Sequence, residues 1–290
     1  MSTAPTTPAS SDTPAGDSPL LIGSEGAVRV LTLNRPQALN AFTTGLLSQL
    51  RIALDDAAKD ESVRAVLITG AGRAFCAGQD LSDPHIKPEF DETTGAVDPH
   101  RKPKAKDIGN LLDHYYIPLA LRLRSMPVPT VCAVNGVAAG AGANFALGCD
   151  LVLAGQSASF IQAFSRIGLV PDCGGTWLLT RLVGRARALQ LALLGDKLSA
   201  ADAQAWGLIA RCVADAELQS EAMQLAQKLA KLPTAALVHT RQAIDASMDL
   251  EFEDALKLEA KLQSQLGYAH DYLEGAAAFL SKRAPVFKDR

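Results

Sequence analysis

The stretch 131–176 constrains the fold most. It reads VCAVNGVAAGAGANFALGCDLVLAGQSASFIQAFSRIGLVPDCGGT. An apolar run, Val131 to Val134, stops at Asn135-Gly136 and passes into Gly140-Ala141-Gly142-Ala143. A short apolar run closed by turn residues is the pattern of a buried strand. A loop with almost no side chains lets bare backbone N–H groups approach a ligand, and a helix starting there aims its dipole at the same point. Further on, Asp172 lies in a second tight turn, Val170-Pro171-Asp172-Cys173-Gly174-Gly175. Bare N–H groups and one acid are the parts that hold a carbonyl and enolise it.

The flanking sequence alternates strand and helix patterns. Val28-Arg29-Val30-Leu31-Thr32-Leu33 has strand composition and ends at Asn34-Arg35-Pro36. Phe42, Leu46, Leu50, Leu54 and Ala58 recur every four residues and predict an amphipathic helix to about Lys59. Residues 63–69 read as a second strand, closed by Gly70-Ala71-Gly72 and followed by the turn Phe75-Cys76-Ala77-Gly78-Gln79-Asp80. This strand, small-residue turn and acid loosely echo the central stretch, with too little likeness to predict a repeat. Residues 82–107 hold four prolines and many charges without periodicity, the pattern of a lid, a binding loop or a disordered segment.

A helix is expected over 108–126, kinked at Pro118, and another over 177–183, stopped by Gly184. Ser199-Ala200-Ala201-Asp202 resembles a capping box with Asp in place of Glu, and 208–213 reads as a strand. From about Glu217 the chain turns to Ala, Leu, Gln and Lys at helical spacing. These patterns divide it into a disordered tail over 1–19, an α/β core over 20–215 and a helical C-terminal module over 216–290.

Composition excludes several classes. The net charge is −3, which gives no footprint for nucleic acid or an anionic membrane. The most apolar stretch, 136–154, is rich in glycine and broken by Asn144 and Asp150, a poor membrane span. No Lys or Arg precedes Arg29, so the basic region of a secretory signal is missing. The five cysteines, at 76, 132, 149, 173 and 212, form no CxxC pair and lie mostly in apolar runs. That predicts reduced thiols packed as small hydrophobes in a cytosolic protein.

Motifs narrow the chemistry further. The dinucleotide fingerprint that begins at Gly70-Ala71-Gly72 has Phe75 where its third glycine belongs, and Gly140-Ala141-Gly142 fails likewise at Phe145. The histidines at 85, 100, 114, 239 and 270 show no metal-ligand spacing, and no Gly-x-Ser-x-Gly elbow occurs. No metal site is expected. Asp172 remains, with two readings: a helix N-cap before Gly174, or an acid–base group facing the small-residue turns.

Several segments together resemble the crotonase (enoyl-CoA hydratase/isomerase) superfamily over residues 20–290. Phe75-Cys76-Ala77-Gly78-Gln79-Asp80-Leu81 matches the family's first oxyanion-hole turn, and Asn135 to Gly142 matches its second. The block through Gly174-Gly175-Thr176 stays in register. The resemblance implies an α/β spiral of ββα units, a helical trimerisation module giving trimers or hexamers, and an acyl-CoA thioester substrate. No cofactor is implied, since coenzyme A is part of that substrate. Carried over by position, the N–H groups of Ala77 and Ala141 bind the thioester oxygen. Gly78, Gln79, Asp80 and Gly140 shape the turns and with them bind substrate, and Ala38 and Leu39 line the coenzyme A pocket. Lys282, beside Phe279, reaches the nucleotide end or else stands as a solvated helix end.

The departures from the family pattern carry more information. Where the hydratases use two glutamates, this chain has Asn144 and Phe164, which by that match are expected to bind substrate without acid–base work. Asp172 stands where those hydratases have glycine. Hydration needs a placed water and a proton donor, whereas moving a double bond needs one base that shuttles a proton. The resemblance therefore implies an isomerase, and the string around Asp172 is similar to the ring-epoxide isomerases of phenylacetate degradation. The alternatives are an enoyl-CoA hydratase of fatty-acid oxidation and a non-catalytic binding protein of the same fold.

Overall fold

Strands covered on both faces read as continuous apolar runs, and parallel sheets are built from them. The computed structural model describes residues 18–87 and 107–290. Its strands are β1 (Leu20–Glu25), β2 (Val28–Leu33), β3 (Ala65–Gly70), β4 (Ala74–Cys76), β5 (Thr130–Val134), β6 (Val137–Ala139), β7 (Leu151–Gly155), β8 (Ser159–Ile161), β9 (Lys197–Ser199) and β10 (Arg211–Val213). Its helices are α1 (Thr44–Lys59), α2 (Ile108–Leu111), α3 (Ile117–Arg124), α4 (Ala141–Leu147), α5 (Gly175–Leu194), α6 (Ala200–Ala205), α7 (Leu218–Ala230), α8 (Thr234–Ser247), α9 (Phe252–Gly267) and α10 (His270–Leu280).

The strands form a six-stranded sheet in the order β1-β2-β3-β5-β7-β10 and a four-stranded sheet in the order β4-β6-β8-β9. β1 and β9 are the antiparallel edges, and the other neighbours run parallel. The chain passes from one sheet to the other three times in the same sense, β3 to β4, β5 to β6 and β7 to β8. That is a spiral of repeated units. The two small-residue turns therefore belong to equivalent places, although their sequences are too unlike to predict it.

Alternation along the buried strands supplies two cores. Val66, Ile68, Cys132 and Val134 face α1 and α4, among Leu46, Leu50, Leu54 and Phe145. Ala65, Leu67, Val131, Ala133 and Leu153 face the opposite way, onto α7. There Leu218, Ala222, Ala226 and Ala230 recur every four residues, and the three alanines let the helix lie close to the sheet. A boundary at 215 thus falls just before a helix that closes the second core, and the segment beyond α7 is the one that leaves it.

Local signals place several element ends as expected. Helix α1 ends at Lys59, and Ser199 caps α6 by accepting from Asp202 N at 3.1 Å; the cap of α1, the Thr43 hydroxyl accepting from Leu46 N at 3.2 Å, was not predicted. Other expectations need correction. β1 was not predicted, and the strand over 208–213 shortens to β10. The helix over 108–126 is distorted before Pro118, in a π turn over Leu112–Tyr116. Gly184 (φ 74°, ψ 162°) interrupts α5 and does not end it. The tail expected over 1–19 lies, up to residue 17, outside the described residues, as do 88–106 of the loop expected over 82–107. Among the described residues, no helix is long and apolar enough to cross a membrane.

Candidate active site

Parallel pairing of β4 with β6 brings their C-terminal ends together, so the turn after Cys76 lies against the turn after Ala139. The approach is too close for side chains. At Gly78 (φ 91°) a Cβ would stand 2.8 Å from Ala139 O, and at Gly142 one would stand 2.6 Å from Cys76 O. Phe164, 6% exposed, lies over Gly140, with its ring 3.7 Å from where a Cβ would be.

Hydrogen-bond accounting decides which N–H groups remain available. The Ala77 N–H donates to Leu39 O at 3.0 Å, and the Asp80 N–H donates to Phe42 O at 2.8 Å. Ala77 is therefore engaged, which corrects its expected role as an oxyanion donor. Among the described residues, the N–H groups of Gly78, Gln79 and Ala141 make no hydrogen bond. Phe42 N binds Gly78 O at 2.7 Å, so Gly78 O and Asp80 N both face the 39–42 segment. Strand alternation turns the Gln79 N–H to the other side, where β6 runs into Gly140 and Ala141.

The 39–42 segment is itself held in an uncommon conformation. Leu39 (φ 49°) and Asn40 (φ 56°) are successive left-handed residues. The buried Asn40 carboxamide donates to Ala71 O and Ala74 O and accepts from Arg35 N, all within 2.9 Å. Ala38 ends the 3₁₀ turn Pro36–Ala38 just before it. The structure thus sets Ala38 and Leu39 against the first turn.

Asp172 is not a helix cap. The N-cap of α5 is Gly174, and no side chain caps that helix. The Asp172 Oδ1 is buried without a hydrogen-bond partner. Burial raises its pKa to about 6, opposed only by its own backbone N–H. The main chain is fixed instead: Asp172 O accepts from Asn144 Nδ2 at 2.9 Å and from Gly175 N at 2.8 Å. Asn144 Oδ1 in turn accepts from Gln162 Nε2 at 2.8 Å. Asn144 is fully buried and both ends of its carboxamide are engaged. It is a clasp between α4 and the Asp172 turn, which corrects its expected role in binding substrate.

Neighbouring groups are set apart from this acid. Cys173 (φ 49°) has its thiol pushed well above the ordinary range, first by burial and then by the Asp172 charge, so it offers no thiolate. Burial likewise pushes Cys76 up to about 12. Asp80 forms an ion pair with Arg35 at 3.0 Å and accepts from Ser82 Oγ at 2.6 Å, and its pKa is lowered, first by the Ser82 bond. Gln79 Oε1 accepts from the Tyr116 hydroxyl at 2.6 Å. Lys282 stands exposed in the turn after α10, which packs on α9, and makes no side-chain bond among the described residues. The structure does not bring it to the turns. A cavity of about 760 Å³ runs from Phe145, Cys173 and Gly174 past Trp177 and Leu178 to Arg181, Val238 and Arg241, and neither Asp172 nor the two turns line it.

Residues 23–290 match the family described as enoyl-CoA hydratase/isomerase. The chain belongs to that family. This member is 48% identical over 263 residues, 91% of its length and 95% of the relative's, to the 1,2-epoxyphenylacetyl-CoA isomerase of Escherichia coli K12. It is 43% identical over 267 residues, 92% of its length and 96% of the relative's, to a probable enoyl-CoA hydratase of Rhodobacter capsulatus. Among solved structures, a putative enoyl-CoA hydratase of Streptomyces coelicolor A3(2) superposes with a TM-score of 0.82 at 33% identity, covering 99% of this chain and 100% of that one. The crotonase fold and the family's acyl-CoA chemistry are thereby supported, whereas the relatives' names divide between isomerase and hydratase.

Sequence reasoning missed Tyr116, Gln162 and the Gln79 N–H. Tyr116 reads as one more apolar position of a helix. Gln162 carries no local signal at all. The choice of Gln79 over Ala77 depends on pairing with Phe42, which lies far off in sequence.

Proposed function

We propose that this enzyme isomerises acyl-CoA thioesters with Asp172 as its single acid–base group. The observation that carries this reading is the Asp172 carboxyl, whose buried Oδ1 has no partner and whose pKa burial raises to about 6, with no other acid among the described residues acting on it. The positions that match the hydratase glutamates are a carboxamide with both ends engaged, Asn144, and a phenyl ring over Gly140, Phe164. Neither activates water.

In the double-bond shift, ionised Asp172 removes a C2 proton from a 3-enoyl thioester. The electron pair moves onto the thioester oxygen, held by the N–H groups of Gln79 and Ala141. The same proton returns at C4, leaving the 2-enoyl thioester. Each such donor contributes about 3 kcal/mol in a dry site. The step needs no cofactor, because coenzyme A is part of the substrate. The E. coli relative is named a 1,2-epoxyphenylacetyl-CoA isomerase, which supports that ring epoxide as a substrate here, and the oxepin thioester is the product we propose for it. Breaking the carbon–carbon bond common to the epoxide and the ring moves no proton, so the proton shuttle applies to double-bond shifts. Exposed Phe252, Leu256, Tyr272 and Leu273 on α9 and α10 support association into trimers or hexamers.

The test incubates the enzyme with a 3-enoyl-CoA and a 2-enoyl-CoA and follows mass and ultraviolet absorbance. Conjugation appearing in the first without change of mass, and no water gained by the second, is the expected result. A gain of one water on the 2-enoyl thioester would overturn isomerisation in favour of hydration.

A further inference from the structure

Tyr116 is among the largest fully buried side chains of the protein, at 1% exposure. It ends the π turn Leu112–Tyr116, where one extra residue rotates the helix face before Pro118. Its hydroxyl donates to Gln79 Oε1 at 2.6 Å, while Gln79 Nε2 donates to Asp80 O at 3.3 Å. The carboxamide is thus folded back along its own turn. The Tyr116 ring also meets Phe42 edge to face, with centroids 6.2 Å apart. Phe42 holds the peptide groups on both sides of Gln79, through Gly78 O and Asp80 N. One side chain therefore reaches the turn by two routes. Burial, followed by the charge on Asp172, keeps the phenol neutral and hence a donor.

We propose that Tyr116 is a positioning residue of the reaction. Its hydroxyl, acting through the Gln79 carboxamide, fixes the direction in which the Gln79 N–H meets the thioester oxygen. This rests on the reading of the two turns as an oxyanion hole. Removing the hydroxyl keeps the ring and its packing on Phe42 but takes the partner from Gln79 Oε1 in a half-buried site, so the turn loses its fixed geometry.

Tyr116→Phe is expected to lower kcat about tenfold, with KM changed less than about twofold. The pH midpoint of kcat, set by Asp172, stays in place. Gln79→Leu removes the acceptor and gives a similar loss, and the double variant loses no more than either single one. A readout without turnover uses a 2-enoyl thioester conjugated to an aromatic ring, whose absorption moves to longer wavelength when its carbonyl is polarised. The shift on binding is expected in the parent and reduced in both variants. Unchanged kcat with a full spectral shift in Tyr116→Phe would overturn the proposal, as would losses that simply add in the double variant. Should Tyr116→Phe fail to fold, Gln79→Leu against the parent decides by the same two readouts. No spectral shift in the parent would instead defeat the oxyanion-hole reading itself.

Discussion

Asp80 and Asp172 each lie in a tight turn, and the structure gives them opposite fates. Asp80 meets Arg35 and both the hydroxyl and the N–H of Ser82, and its pKa falls. Asp172 meets no donor at Oδ1 and is pushed to about 6 by burial. The contrast separates two uses of one side chain. A carboxylate satisfied on several sides stabilises a turn and has no driving force to take a proton. A desolvated one without partners holds its proton near neutral pH and can exchange it.

The sharpest way to break the contrast is Asp172→Asn, which is expected to lower isomerase kcat about 10³-fold. A loss below about tenfold, measured on the 3-enoyl thioester, would mean that another group moves the proton. The second way is pH. Because the base works only when ionised, kcat should fall about tenfold per unit below pH 6 and level off above it. A midpoint near 4 would place Asp172 in the same class as Asp80. Third, Asp80→Asn should change kcat less than about threefold while lowering stability by about 1–2 kcal/mol, read by denaturant unfolding.

The smallest effect concerns stability at Asp172 itself. Its folded pKa is raised above the unfolded value, so the stability it contributes is present below about pH 4 and lost as pH rises through about 6. Asp172→Asn should therefore unfold at a higher temperature than the parent above pH 7, by on the order of 2–6 °C, and at the same temperature near pH 4. An equal difference at both pH values would show that the ionised acid carries no strain in the folded protein.

Much of the fold was legible. The apolar runs in β3 and β5 and the four-residue spacing of α1 announce themselves over short windows, because burial on both faces or on one face leaves a periodic trace. The cap residue Ser199 acts within one turn of chain and is equally local. Pro118 signals a distortion without giving its form, since the π turn is chosen by where Tyr116 packs. Gly184 signals a break without telling that the helix resumes beyond it.

The candidate site divides along the same line. The sequence by itself determined the small-residue turns, the presence of Asp172 and the absence of both glutamates at 144 and 164, because these are matters of residue type. Only the tertiary structure decided that the Ala77 N–H is taken by Leu39, that the Gln79 N–H is left without an acceptor among the described residues, and that Asn144 clasps the Asp172 main chain. It also decided that Asp172 caps no helix. Each of those outcomes depends on which group, distant in sequence, completes a hydrogen bond or excludes water. A hydrogen bond has one partner and a direction, and desolvation is a property of everything around a charge, so neither is written in the local order of residues.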